Sequence, residues 1–124
     1  MQHSVELVMM QAREVAPTAA FYVEALGFEH LGGDADGATL QRGSLQLVIQ
    51  RDPEFTPASG PRVHVPVELP TLESVWEHDR ASNPDLPGPQ LAAGGIFEYL
   101  TRDPAGNVVR LKAPIPTSAP PTPR

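Results

Sequence analysis

Few side chains in this sequence can do chemistry. Among its 124 residues are fifteen acids, nine Lys or Arg, four histidines and no cysteine. Thiolate metal sites and disulfides are therefore excluded. Arg110 draws attention first. In NVVRLK, Val109 and Leu111 form the apolar face of a strand, and Arg110 occupies the opposite face in mid-strand. A guanidinium there either clamps a carboxylate or another anionic group, or is neutralised by a neighbour. Glu98 and Arg102 flank Leu100 on one face of the preceding strand and are placed to pair with each other or with Arg110. His64, in RVHVPVEL, is the histidine with a usable setting: a hydrogen-bond donor, or a general base in an enzyme. His3 could join it only in a two-histidine site, which binds metal weakly. His30 and His78 have no partner at useful spacing and read as surface residues.

These residues must be held by short alternating elements. The start of the chain alternates Val8 and Met10 against Leu7 and Met9, apolar on both faces, which predicts a central strand. Val15, Ala19, Tyr22 and Leu26 recur at helical spacing, and Gly27 follows as a stop. Tyr22 belongs to the core side. In ATLQRGSLQLVIQ, Leu45, Leu47 and Ile49 oppose Gln46, Val48 and Gln50 beyond Gly43, the pattern of a hairpin. RDPEFTPASGP is a loop by its Pro, Gly and Ser content.

The order then repeats. Val63, Val65, Val67 and Leu69 alternate with His64, Pro66 and Glu68. A helix follows in PTLESVWEHDRA, with Thr71 as the expected N-cap and Leu72, Val75 and Trp76 on its buried side. The Pro- and Gly-rich SNPDLPGPQLAAGG reads as a loop leading to a closing hairpin, FEYLTRDPAGNVVRL. In its turn Asp103 can accept backbone amides, Pro104 presets φ, and Gly106 and Asn107 tolerate positive φ. A repeat of about fifty residues has to be read as architecture before any single residue is given a role.

The marks FY and LGF in VAPTAAFYVEALGF, and the DPxGN turn in the closing hairpin, resemble the glyoxalase / bleomycin-resistance / extradiol-dioxygenase superfamily, the vicinal oxygen chelate fold. The resemblance implies an α+β fold of two βαβββ modules, about 5–50 and 62–112, forming a curved mixed sheet around a cleft in a single domain of residues 1–112. Residues 113–124, rich in proline, are expected to be a flexible tail. The resemblance also implies a homodimer whose subunits complete each other's clefts.

Metal-dependent members of that superfamily hold a divalent ion on cleft-facing strand positions. Carried over by the motifs, those positions are Leu7, Gln46, His64 and Arg110. One histidine and one amide beside a leucine and a fixed positive charge do not suit a divalent cation. No cofactor or metal is expected. By strand parity the cleft face holds Leu7, Met9, Gln46, Val48, Gln50, His64, Glu68, Glu98, Leu100 and Arg110, a mixed lining suited to an organic molecule. Phe55, from the loop between modules, is placed either to lid the cleft or to plug the core. The expected function is metal-independent binding of a small molecule, an antibiotic or metabolite, sequestered in a cleft at a dimer interface. The alternative is a metal-independent isomerase or lyase with His64 as base and Arg110 as anion clamp; binding is favoured over catalysis.

Composition sets the remaining bounds. The net charge of −6 comes without any basic stripe, so no nucleic-acid partner is expected. No apolar stretch approaches the roughly 18 residues that span a bilayer, and the N-terminus has no pattern of a secretory signal. A cytoplasmic protein without membrane contact is expected.

Overall fold

A computed structural model describes residues 5–115, so His3 and most of the proline-rich tail lie outside the described residues. Each half of the chain has the order strand, helix, three strands. In the first, β1 (Glu6–Ala12) is followed by α1 (Val15–Leu26), β2 (Glu29–Asp34), β3 (Gly37–Arg42) and β4 (Leu45–Arg51). In the second, β5 (Pro61–Pro66) is followed by α2 (Leu69–Ser82), β6 (Gln90–Ala92), β7 (Ile96–Arg102) and β8 (Val108–Pro114). The architecture is α+β, two βαβββ modules each carrying one four-stranded mixed sheet.

The sheets have matching orders, β1-β4-β3-β2 and β5-β8-β7-β6. In each, the strand before the helix pairs in parallel with the last strand of its module, and the other pairings are antiparallel. Parallel pairing needs a long crossover, and the helix and hairpin between the two strands provide it. One face of each sheet is packed. Met10, Leu40, Leu47 and Ile49 are buried in the first module, and Val63, Val65, Val109 and Leu111 in the second, with the helices over them.

Helix α1 buries Val15, Ala19, Tyr22 and Leu26, and Gly27 ends it at φ 77°, its N–H donating to the Tyr22 carbonyl. Helix α2 buries Leu72 and Val75 while Trp76 is half-buried. Its N-cap is Glu68, with no side-chain cap bond, and Thr71 lies inside the first turn instead of capping it. Pro70 explains the shift. Its fixed φ suits the first helical positions, where no N–H partner is needed, so the helix begins before the threonine.

One further expectation is corrected. β1 is an edge strand of its own sheet. Its two apolar faces have separate causes: Met10 and Ala12 are buried in the core, whereas Leu7 and Met9 stand on the open face, 56% and 42% exposed. The free edge of β1 abuts β5, where the Arg62 guanidinium donates to the Met9 carbonyl. In the closing turn only Gly106, at φ 90°, has positive φ; Asn107 does not.

Polar contacts join the modules. The Tyr22 hydroxyl donates to Asp103 Oδ2 at 2.7 Å, although 81 residues separate the two. Asp103 Oδ1 accepts the Ala105 and Asn107 backbone amides, and Asn107 Nδ2 donates to Asp103 Oδ2 and to the Gln11 carbonyl. Burial, then the adjacent Asp103 carboxylate, push the Tyr22 hydroxyl far above the usual phenol range, so it stays a donor. Arg42 is a second tie. Nε donates to the Leu26 carbonyl at 2.8 Å, one terminal nitrogen to the Pro66 carbonyl at 2.6 Å, and the other to Glu68 Oε1 at 2.8 Å.

Candidate functional site

With the helices on one face of each sheet, chemistry is left to the other. Strand alternation decides which side chains reach it. In the first sheet these are Leu7 and Met9 of β1 with Gln46, Val48 and Gln50 of β4, and the register places Leu7 opposite Gln46, Met9 opposite Val48 and Thr39 opposite Val48. In the second they are His64, Arg110, Glu98 and Leu100, with His64 opposite Arg110 and Leu100 also opposite Arg110. Arg110 therefore stands on β8 between a histidine on one side and a leucine on the other.

Its partner is Glu98. The guanidinium donates to Glu98 Oε1 at 3.2 Å, and the two side chains are only 31% and 28% exposed. Arg102 takes no part, donating to the Gly106 carbonyl at 2.8 Å. Arg110 Nε is buried and has no hydrogen-bond partner among the described residues. A buried guanidinium nitrogen without an acceptor is unfavourable by about 1–3 kcal/mol, so the ion pair only partly satisfies the cation.

A cleft of about 500 Å³ opens over this pair, with Glu98, Leu100 and Arg110 on its floor. Leu86 and Gly88 of the preceding loop complete the lining with Gln90 and Leu91 of β6, Gln90 being Glu98's register partner. Leu91 and Leu100 are 61% and 50% exposed, apolar surface beside a partly buried ion pair. Volume and lining lie in the range of sites for organic molecules, with apolar walls and a few fixed polar groups. The wall residues were not legible as a site. SNPDLPGPQLAAGG reads as a loop, and its strand β6 has only three residues, too few for an alternating pattern. Trp76 supports this wall from behind, its ring lying against Gly88.

The remaining candidates lie elsewhere. Leu7, Met9, Gln46, Val48 and Gln50 occupy the open face of the other sheet and do not line this cleft. His64 is Arg110's register neighbour and is exposed, but it does not line the cleft either. Phe55 is half-buried in the linker; its carbonyl accepts from Arg13 Nε at 2.9 Å, and its ring is not part of the cleft. Glu68 is at the start of α2, held by Arg42. His30 and His78 are both exposed.

The four positions that the resemblance marks for metal donors form two directly paired couples, Leu7 with Gln46 and His64 with Arg110. Leucine offers no lone pair and guanidinium repels a cation. Among the described residues no three His, Cys, Asp or Glu side chains are grouped to hold an ion. This donor set does not fit a divalent metal.

Comparisons with known proteins agree with the fold. A sequence model described as a glyoxalase-like domain matches residues 7–111. A comparison with curated protein sequences gives no match. Among solved structures, the bleomycin-binding protein of Streptomyces verticillus, determined with copper(II)-bleomycin, is 24% identical at a TM-score of 0.62, over 91% of this chain and 98% of its own. A bleomycin resistance determinant encoded on the transposon Tn5 is 25% identical at 0.60, over 92% and 98%. A lactoylglutathione lyase from Agrobacterium tumefaciens is 17% identical at 0.63, over 91% and 95%. Both binding proteins and an enzyme thus share the scaffold, and scaffold alone does not assign activity.

Proposed function

Because the chain belongs to the glyoxalase-like domain family, we propose that it binds a small organic molecule without a resident metal ion and sequesters it in a cleft completed by a second subunit. The observation that carries this reading is Arg110 on the cleft floor, paired to Glu98 where a metal-binding acid is expected in the enzymes. Its position converts a site for a cation into one for a polar organic group beside apolar walls. Two solved relatives of similar length are a bleomycin-binding protein and a bleomycin resistance determinant, which makes a bulky antibiotic the first ligand to test.

The open face of the first sheet supports the dimer. Leu7 and Met9 are exposed apolar side chains beside the amides of Gln46 and Gln50, and a second copy laid across them would give the cleft its missing side. The enzyme reading is weaker: His64 does not share the cleft with Arg110, and Arg110 already has an anionic partner.

The test is a thermal-shift screen in EDTA with metal-free bleomycin and a panel of antibiotics and small carboxylates, followed by calorimetry on any hit. A hit that survives in EDTA and weakens at least 10-fold in Arg110→Met supports the proposal. A panel without a hit, or a hit that needs added metal, contradicts it. Sedimentation is expected to give a dimer that Met9→Glu dissociates.

A further inference from the structure

The two modules provide an internal standard for each other, and at one place they differ. In the first sheet the outer strand β2 pairs with β3 from Glu29↔Gln41 to Asp34↔Gly37, covering nearly its whole length. In the second, β6 pairs with β7 only through Ala92↔Ile96, Leu91↔Phe97 and Gln90↔Glu98. Half of β7, Tyr99–Arg102, therefore has β8 on one side and, among the described residues, no strand on the other. A strand occupies the equivalent place in the sister module, so what is missing here is strand-shaped.

Among the described residues no segment of the chain fills the gap. The segment passing it, residues 83–89, contains Pro84, Pro87 and Pro89, which have no N–H to donate to a ladder. A second cleft of about 420 Å³ opens there instead. It is lined by Leu100 and Arg102 from one face of β7 and by Tyr99 and Thr101 from the other. Only an opening at the strand's free edge touches both faces.

The gap also has a charged wall. Asp79 on α2 lines it, and its Oδ2 accepts the Tyr99 hydroxyl at 2.8 Å and the Thr101 hydroxyl at 2.6 Å. These bonds fix the carboxylate and leave Oδ1 for another donor. The neighbouring cations are occupied elsewhere, Arg102 with the Gly106 carbonyl and Arg80 with Glu77.

We propose that this edge docks an extended peptide segment of another polypeptide, which adds as a strand beside Tyr99–Arg102 and sets a lysine or other amine against Asp79. Backbone pairing provides the attraction and alternate side chains the selectivity, as in strand addition generally. The chain's C-terminal PTSAPPTPR has four prolines in nine residues and makes a poor ladder donor. The two clefts adjoin, sharing Leu86, Tyr99 and Leu100; the peptide reading differs from the small-molecule reading in its anchor, Asp79 in place of Arg110.

The probe is a fluorescein-labelled hexapeptide, TVKVTV, titrated into the full chain by fluorescence anisotropy with amide hydrogen exchange of the protein in parallel. Binding at a Kd of about 100 μM is expected for so short a ladder, with slowed exchange among residues 99–102. In a strand alternate amides point to opposite edges. N-methylation of one alternate set should therefore weaken binding at least 10-fold while the other set stays within about 3-fold, and replacing lysine by norleucine should weaken it about 5-fold or more. No exchange protection at 99–102, equal tolerance of both methylated peptides, or an unaffected norleucine peptide overturns the proposal. So does protection that grows with protein concentration in the absence of peptide, which assigns the edge to a second copy.

Discussion

Removing the Tyr22 hydroxyl tests how the two modules are held together. In Tyr22→Phe the ring keeps its place, with edge contacts to Phe21 and Phe28 at centroid distances of 5.2 and 5.6 Å. The lost interaction is the 2.7 Å bond to Asp103 Oδ2. Hydrogen bonds to charged groups contribute about 1.5–3 kcal/mol. The carboxylate keeps Asn107 Nδ2 at 3.1 Å and two backbone amides on Oδ1, so a loss of about 2 kcal/mol is expected. For a domain of this size each kcal/mol lowers Tm by about 3–6 °C, so calorimetry should show a fall of about 6–12 °C, and urea unfolding a lower midpoint at unchanged m. Asp103→Asn should cost more, about 3 kcal/mol, because its amide would face two other donors, Tyr22 Oη and Asn107 Nδ2. A loss below about 0.5 kcal/mol in Tyr22→Phe would refute the latch, leaving the closing turn to be held by its own backbone bonds.

Other expectations follow from the same contacts. Arg42→Met removes three bonds, two of them to carbonyls, and should lower stability by about 1.5–3 kcal/mol in urea; Glu68→Gln, whose side chain is 71% exposed, should change it by less than 1 kcal/mol. Alkaline stability has a definite sign. Tyr22 ionises near 10 when unfolded but stays protonated in the fold, so its contribution is complete below pH 10 and is lost as pH rises above it. By pH 11 that loss is about 1.4 kcal/mol, and Tyr22→Phe should unfold less steeply between pH 10 and 11. A Tyr22→Phe profile parallel to wild type would contradict this. Millimolar Mn²⁺, Ni²⁺ or Zn²⁺ should raise Tm by less than 1 °C, whereas a site of 10 μM affinity would add about 2.7 kcal/mol at 100-fold excess.

The fold was legible because its signals are local. The spacing of Val15, Ala19, Tyr22 and Leu26, the stop at Gly27 and the alternation of Val63, Val65 and Val67 each act over a few residues, and each matches the observed burial. Edges were less legible. β1 looks central because both faces are apolar, but strand order depends on long-range pairing that periodicity does not encode. β2 and β6 lack a pattern: all six residues of β2 are exposed, and β6 is too short for alternation. The cleft divides in the same way. Glu98, Leu100 and Arg110 follow from strand parity, and their ion pair was one of the pairings open to Glu98. The rest of the lining comes from a proline-rich loop, whose Gly88 lies against the Trp76 ring, and from the short β6 beyond it, a placement that no spacing records. The tie between Tyr22 and Asp103 joins residues far apart in sequence, so neither motif alone reveals it.

The proposed function turns on Arg110, paired to Glu98 on the cleft floor, anchoring an organic molecule from a position where the resembling enzymes place a metal-binding acid. Calorimetric titration of metal-free bleomycin into the protein in EDTA, repeated with added Zn²⁺ and with Arg110→Met, tests it most directly. The account predicts binding in EDTA, a change of less than 2-fold on adding metal to the protein, and at least a 10-fold loss, about 1.4 kcal/mol, in the Arg110 variant. Binding that appears only with metal, or that Arg110→Met leaves unchanged, would contradict it.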